Sequence, residues 1–355
     1  MFSGDSAGNL IRPPTSAYDN SSLGQEFIIN DAGDVSALNG AAGYAASPHH
    51  SSALKPAPTL IGPSDGLQFD LVWGRSVANA PGGFMRAIID AAAEYSTLFS
   101  NATYAHELIK IHVGYGYIDG SRLASDALGE SESDGYLTNY ATVANALENE
   151  GFAFSASNEP TAGQFFVTSA EAKTLDLTNP DSHALDGFVG FAARGDWNTT
   201  ADVGASNTGT SAGMFDLQAA AAHEISEVMG RIGMEGASVL GKPTYTPLDL
   251  FNYQRPGVLE RSPGGGYFSI NDGATTNSGT TGGPLGLYND AAVNGGDIAD
   301  WASVSSIAQS QTLGLIPGDF DAYDAFVGAG VNGDVSEADI IEDAALGYRL
   351  GWRPV

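Results

Sequence analysis

Cysteine and basic residues are the components that this 355-residue sequence has least of. The absence of cysteine excludes a disulfide framework, a thiolate metal site and a cysteine nucleophile. Only 14 Lys and Arg stand against 42 Asp and Glu, a formal net charge of -28. A field of that sign repels nucleic acid and anionic lipid and attracts cations, so we expect metal ions rather than nucleic acid as partners. Scarce lysine with abundant Gly, Asn, Ser, Thr and Asp is typical of exported bacterial proteins, which predicts a secreted or cell-surface location.

Long apolar runs are also missing. No run approaches the roughly 18 residues that cross a bilayer, so no membrane span is expected. The first residues, MFSGDSAGNLIRPP, lack the basic and apolar blocks of a signal peptide. We therefore expect export by another route, or a leader that this sequence does not include.

Composition divides the chain into three parts. Residues 1–65 are rich in small and polar residues with one short apolar run, EFIIN, and are interpreted as an extended N-terminal arm or pro-segment. Residues 66–236 alternate strand and helix patterns, whereas residues 237–355 are rich in Gly, Asn, Thr and Pro loops. At 43% hydrophobic residues, the chain is large enough for a sizeable core, and the predicted class is α+β.

Individual elements follow from hydrophobic period and turn residues. Strands are predicted at residues 67–73, 107–120, 163–169, 186–193, 247–253 and 265–270. Helices are predicted at residues 81–100, 135–151 and 336–348, and a central helix begins after Asp216 and ends at the glycines 230 and 233.

The central helix contains the sequence QAAAAHEISEVMGRIG, residues 218–233. Residues four apart lie on one helix face, so His223 and Glu227 can bind one cation while Glu224 reaches a water molecule beside it. This is the pattern of a zinc hydrolase, except that Glu227 stands where a second histidine is usual. A carboxylate is an acceptable ligand, although it moves the preference toward harder ions such as Mn²⁺ or Ca²⁺.

The same spacing also fits an ordinary amphipathic helix whose far face meets water. The dipeptide His106-Glu107, followed by Lys110 at the fifth position, shows that such pairs occur without a metal pattern. The face of the helix that would meet water carries small residues, which let another element approach closely and therefore favour the metal site. These residues are Ala219, Ala220, Ala222 and Gly230.

Longer segments carry a family resemblance. The segments MFDLQAAAAHEISEVMGRIG, TPLDLFNYQRPG, GGYFSIN, GGDIADWAS and ADIIEDAALGY occur in this order, after FDLVWGRSVANAPGGF, KIHVGYGYIDG and YLTNYATVANAL. Over about residues 66–350 the chain resembles a group of exported bacterial proteins classed as predicted metalloproteases, related to the metzincin and matrixin-like peptidases. That group often carries His-Glu-x-x-Glu at this point. The resemblance implies a metzincin-like catalytic domain with a twisted mixed sheet and a central HExxE helix, with His223 and Glu227 as zinc ligands and Glu224 as general base.

The chain departs from the metzincin pattern in its third ligand. Metzincins place a third histidine where this chain has Gly233, and no methionine follows Met234. Asp249 in PLDLF is the first candidate, because an acid inside an apolar strand needs a partner for its charge, although a capping or turn aspartate fits equally well. Weaker candidates are Glu235, His112 and His183.

Three further short patterns are candidate binding sites. His49 and His50 fit a metal ligand pair from the N-terminal arm or an exposed, idle pair. Residues 194–196 read Arg-Gly-Asp, an adhesion tripeptide. Asp319, Asp321 and Asp324 fit either a Ca²⁺ site or a surface cluster, and they lack the spacing of an EF-hand loop.

Two functions follow as hypotheses. The first is a secreted zinc endopeptidase, a hydrolase in which an extended substrate adds to an edge strand near HVGYGYIDG (residues 112–120). The second is a non-catalytic surface-layer or fibre-forming protein on a degenerate metalloprotease scaffold, in which the N-terminal arm reaches a neighbouring subunit and drives self-assembly.

Overall fold

A computed structural model describes residues 23, 26–30, 35–37, 55–99, 106–154, 158–160, 162–200, 210–275, 286–302 and 321–350. His49, His50 and Asp319 lie outside these described residues. No helix in the described ranges is long and apolar enough to cross a membrane.

Ten strands form one mixed sheet. They are β1 (Glu26–Asn30), β2 (Val35–Ala37), β3 (Thr59–Ile61), β4 (Leu67–Trp73), β5 (Glu107–Tyr115), β8 (Gly129–Thr138), β9 (Gln164–Thr168), β10 (Gly187–Phe191), β13 (Ser238–Val239) and β14 (Lys242–Tyr245). The order is β13-β14-β9-β8-β10-β5-β4-β3, and β1 pairs with β8 and with β2. Strands β4, β5 and β10 are mutually parallel, whereas β8 runs antiparallel to β10 and β9.

Smaller strand pairs lie outside this sheet. They are β6 (Tyr117–Ile118) with β7 (Ser121–Arg122), β11 (Trp197–Asn198) with β12 (Phe215–Asp216), and the set β15 (Asn252–Arg255), β16 (Val258–Leu259) and β17 (Tyr267–Phe268). The helices are α1 (Phe84–Leu98), α2 (Tyr140–Asn149), α3 (Ser169–Thr174), α4 (Leu217–Met229), α5 (Ala291–Asn294) and α6 (Glu337–Ala345). The expected mixture of helices with a mixed sheet is thereby confirmed.

One apolar core spans most of the described chain. Helices α1 and α4 pack against each other, with the Tyr95 hydroxyl donating to the Ala222 carbonyl oxygen at 2.9 Å. The buried cluster begins at Leu67 and ends at Tyr348, so residues 66–236 and 237–355 contribute to the same core. The C-terminal loops are therefore packed against the sheet and helices, in position to supply side chains to α4.

One sequence interpretation changes in the sheet, namely the edge strand expected near residues 112–120. Strand β5 lies between β4 and β10, so the strand at residues 107–115 is not an edge and cannot accept another strand there. Strand β1, from the interpreted N-terminal arm, pairs with β8 and buries Phe27 and Ile29 in a second apolar cluster. Its apolar run, EFIIN, is too short to distinguish a strand from a loop by sequence alone.

The strand predicted at residues 247–253 is instead a 3-10 turn, Leu248–Leu250, followed by β15. Pro247 precedes the turn, and the Asp249 carboxylate accepts a hydrogen bond from the Thr246 backbone N–H at 2.8 Å. That local bond competes with strand formation, as is usual for aspartate.

Candidate metal centre

Helix α4 presents the His-Glu motif to the C-terminal loops. The Asp216 carboxylate caps its first turn by accepting from the N–H groups of Gln218 at 3.0 Å and Ala219 at 3.2 Å. The helix ends at Gly230, whose φ of +125° reverses the chain. A Cβ at this position would lie 3.0 Å from Glu171 Oε2, so the turn is both strained and crowded for any other residue.

The His223 ring is oriented by a backbone carbonyl. Its Nδ1 lies 2.8 Å from the carbonyl oxygen of Ala322, which can only accept, so Nδ1 carries a hydrogen and donates. Nε2 then faces two carboxylates, 3.4 Å from Glu227 Oε1 and 3.2 Å from Asp300 Oδ1. The His223 side chain is 15% exposed and the two acids are 3% exposed, so the group lies just beneath the surface.

His223, Glu227 and Asp300 each offer one ligand atom, and these three atoms lie within 4.8 Å of one another. Among the described residues this is the one set of three or more His, Asp or Glu side chains that meets that condition. The group therefore has the size and composition of a site for a single cation.

Arg231 lies against the same oxygens. Its Nη1 donates to Asp300 Oδ1 at 2.7 Å, and its Nη2 lies 3.4 Å from Glu227 Oε1. The side chain is fully buried, and its guanidinium lies 4.3 Å from the centre of the Tyr323 ring. Two carboxylates and one permanent cation therefore share this site.

The charges of these groups shift their protonation. Burial lowers the pKa of His223, but the charge of Asp300 and the hydrogen bonds to Asp300 and Glu227 together outweigh burial and hold that pKa well above its ordinary value. Burial raises the pKa of Asp300, but the charges of His223 and Arg231 and their hydrogen bonds to the carboxylate together outweigh it and hold the pKa below its ordinary value. With a proton on His223, the two carboxylates are balanced by two positive charges and the group is neutral.

The residues also fit a divalent cation. A histidine that binds a metal through one ring nitrogen commonly donates the other N–H to a carbonyl, as His223 does to Ala322. Glu227 Oε2 is buried and has no hydrogen-bond partner within the part of the chain that is described. Imidazole nitrogen and carboxylate oxygen are both donor types that bind Zn²⁺. A cation on Nε2 and a proton on Nε2 exclude each other.

Asp249, the expected third ligand, is not in this group. Its carboxylate accepts from the N–H groups of Thr246 at 2.8 Å and Met234 at 3.3 Å and lies against the carboxyl of Glu235. Burial raises the pKa of Asp249 to about 6. Glu235 in turn accepts from the side-chain amide of Asn252 at 2.8 Å. The turn interpretation of Asp249 accounts for these contacts.

Asp300 is the third member of the group, and it is not among the residues that the sequence predicted. It lies in GGDIADWAS between two buried apolar residues, Ala299 and Trp301. The rule that favoured Asp249, an acid within an apolar segment, applies equally to Asp300. That rule therefore could have found it, but could not have chosen between the two.

Glu224 is buried and lies beneath the beginning of strand β8. A Cβ added at Gly129 would overlap Glu224 Oε1, which fixes the direction of this side chain toward the sheet. One turn further along, the Ser133 hydroxyl donates to the Glu227 carbonyl oxygen at 3.1 Å. Strand β8 is thus the strand that covers the motif helix.

The weaker candidates lie elsewhere. His112 packs edge-on against Phe188, with ring centroids 5.7 Å apart, and burial lowers its pKa to about 4. His183 is exposed. Asp321 accepts from the Tyr323 N–H at 2.8 Å, and neither it nor Asp324 joins a group of three acidic or histidine ligands in the described ranges.

The two charged side chains of the Arg-Gly-Asp tripeptide, Arg194 and Asp196, form an ion pair with each other. Arg194 Nε donates to Asp196 Oδ1 at 2.6 Å, and the guanidinium lies 4.0 Å from the centre of the Phe215 ring. Both charged groups of the tripeptide are therefore engaged with neighbours within the chain.

Comparisons with protein-family models, with curated proteins and with solved structures return no match for this chain. The chemistry of the site is therefore the basis for assigning a function to this chain.

Proposed function

We propose that the chain is a metal-dependent endopeptidase whose cation is held by His223, Glu227 and Asp300. The observation that carries the proposal is the convergence of two carboxylates on Nε2 of a histidine whose other nitrogen is fixed by a backbone carbonyl. Catalytic zinc sites use three protein ligands of these types and keep a fourth position open. Zn²⁺ is accordingly the first choice of cation, with Ca²⁺ or Mn²⁺ as harder alternatives.

The reaction would be hydrolysis of a peptide bond. A bound cation supplies Lewis-acid chemistry, which polarises a carbonyl group and increases the acidity of water. Glu224, next to His223 on the helix, is the proposed general base, and its burial under β8 supports a fixed orientation.

The metzincin resemblance implies a mixed sheet beside a central motif helix, and the sheet of this protein combines parallel and antiparallel strands next to α4. Parallel strands β4, β5 and β10 are followed across the sheet by antiparallel β8, which lies over the motif helix. Strand β1 covers residues 132–136 of β8, whereas residues 129–131 pair with β10 alone among the described strands. An extended peptide substrate is proposed to pair with this open part of β8, next to Glu224.

Composition supports a secreted or cell-surface location as part of the same proposal. The excess of acidic over basic residues and the absence of cysteine agree with an exported protein that binds cations.

The test combines metal content with hydrolysis. We expect about one equivalent of zinc in the purified chain by mass spectrometry, and its loss in His223→Ala. The exposed His183→Ala is the matched control and should retain the metal. Glu224→Gln should retain the metal and lose hydrolysis of a fluorescein-labelled denatured protein. Hydrolysis by Glu224→Gln at the wild-type rate would reject this mechanism.

A second candidate is a non-catalytic, self-assembling surface protein on the same scaffold. The observation that favours it is the ion pair between Arg231 and Asp300 at 2.7 Å, which with protonated His223 neutralises the group without any metal. A chain that takes up no zinc, hydrolyses nothing and forms stable high-order assemblies by light scattering would establish this candidate instead.

A further inference from the structure

Arg231 reaches the candidate metal centre because the chain reverses at the end of α4. After Gly230, the backbone N–H of Arg231 donates to the Ser226 carbonyl oxygen at 3.0 Å, which returns the chain beneath the last helical turn. The side chain is completely buried. A buried guanidinium is retained only where several acceptors surround it, since its charge is costly to remove from water.

The guanidinium is held on every side. Nε donates to Ser226 Oγ at 2.7 Å, and Nη1 donates both to Asp300 Oδ1 at 2.7 Å and to the Ala299 carbonyl oxygen at 3.2 Å. Nη2 lies 3.4 Å from Glu227 Oε1, and the Tyr323 ring covers one face of the plane. A planar fork can meet these partners together, whereas a lysine ammonium is a single point charge on a flexible stem.

These contacts connect the two carboxylates of the proposed ligand set, which come from distant parts of the chain. Glu227 belongs to α4, while Asp300 belongs to a distant loop segment, residues 286–302. Arg231 contacts both carboxylates through the oxygens that also face His223 Nε2. Its position therefore determines how far apart those two oxygens lie.

The charge of Arg231 also accounts for a carboxylate at the second motif position. Glu227 and Asp300 contribute two negative charges and Arg231 one positive charge, so the set carries a formal charge of -1 when His223 is neutral. The two-histidine, one-glutamate ligand set of zinc hydrolases carries the same charge. A buried arginine thus offsets the charge that the exchange of histidine for glutamate adds.

We propose that Arg231 is a positioning residue for the metal centre: it holds the carboxylates of Glu227 and Asp300 against His223 Nε2 and offsets one of their two charges. The inference rests on the proposed function, because it assigns Arg231 a role toward the same cation.

The test is the affinity of the full chain for Zn²⁺ in Arg231→Lys, measured by calorimetric competition with a chelator. Lysine keeps the charge and removes the fork, so we expect 10-fold to 100-fold weaker binding, the usual effect of losing a group that orients metal ligands. Arg194→Lys makes the same chemical change in a partly exposed ion pair outside the centre and should leave the affinity unchanged. The visible spectrum of bound Co²⁺ should differ between wild type and Arg231→Lys, an effect that a purely structural role would not produce.

Near-ultraviolet circular dichroism reports whether Arg231→Lys is folded. A folded Arg231→Lys with wild-type affinity and an unchanged Co²⁺ spectrum overturns the role of Arg231 and leaves the proposed metal site standing. A wild-type chain that binds no Zn²⁺ overturns the metal site itself, and the inference falls with it. If Arg231→Lys does not fold, Ser226→Ala removes the Nε acceptor together with the hydrogen bond that the Ser226 hydroxyl donates to the His223 carbonyl oxygen, and unchanged affinity in that variant overturns the inference.

Discussion

From a count of hydrogen atoms, we expect Asp343 to carry a proton in the folded protein below about pH 7. Tyr95 Oη lies 2.9 Å from the Ala222 carbonyl oxygen and 2.8 Å from Tyr323 Oη, which lies 2.8 Å from Asp343 Oδ2. Because the carbonyl oxygen can only accept, Tyr95 donates to it, and Tyr323 must then donate to Tyr95. With Asp343 ionised, Tyr323 donates to the carboxylate instead, and the contact between the two tyrosines contains no hydrogen. A protonated Asp343 makes all three contacts hydrogen bonds.

The pKa of Asp343 agrees with this count. Burial raises it to about 7, against the lowering effects of the Tyr323 hydrogen bond and the charge of Arg231. An unfolded aspartate has a pKa near ~3.9, so the difference is about 3 units, or about 4 kcal/mol at roughly 1.4 kcal/mol per unit. Since the folded pKa is the higher one, this stability is fully present below about pH 4 and is lost as pH rises toward 7.

The perturbation is Asp343→Asn, whose amide donates to Tyr323 at every pH. We expect the free energy of unfolding of the wild type, relative to this variant, to fall by about 3 kcal/mol between pH 4.5 and 7.5. Urea unfolding of both proteins across that range measures the difference. Burial also raises the pKa of Glu107 and of Glu132 to about 7, but both groups are present in both proteins, so their titrations cancel in the difference. A difference that stays constant with pH would show that Asp343 is ionised when folded and would refute the hydrogen count.

Three other substitutions probe separate parts of the structure. Phe27→Ala should lower the free energy of unfolding by about 3–5 kcal/mol in urea, because Phe27 is buried in the second apolar cluster; a loss below about 1 kcal/mol would mean that β1 is not docked on β8. Lys173→Met should lower the free energy of unfolding by about 3–5 kcal/mol, because the carboxylate of Asp186, 2.5 Å from Lys173 Nζ, is left buried without a positive partner. Adding Asp186→Asn should restore part of that free energy, and no restoration would contradict the pairing. Gly129→Ala should displace Glu224 and slow peptide hydrolysis roughly 100-fold with zinc content unchanged, whereas wild-type activity would show that the position of Glu224 does not matter.

Local rules account for the elements that carry the motif. Asp216 at the start and Gly230 at the end bound helix α4 as predicted, because capping depends on residues within one turn. The approach of His223 to Glu227 also follows from sequence, since the pitch of a helix brings residues four apart onto one face. Helices α1 and α6 lie within the ranges that their hydrophobic period predicted.

Long-range convergence decided the rest of the site. Asp249 and Asp300 have the same local pattern, an acid among apolar residues. The packing of the C-terminal loops brings Asp300 to His223, whereas Asp249 accepts a hydrogen bond from Thr246 within its own turn. The place of β5 inside the sheet likewise depends on which strands pair with it, a property that no single strand contains. The amino-acid order sets contacts within a turn or a strand, because covalent geometry restricts them, whereas the approach of Asp300 to His223 and the contacts of Arg231 depend on how distant segments fill one core.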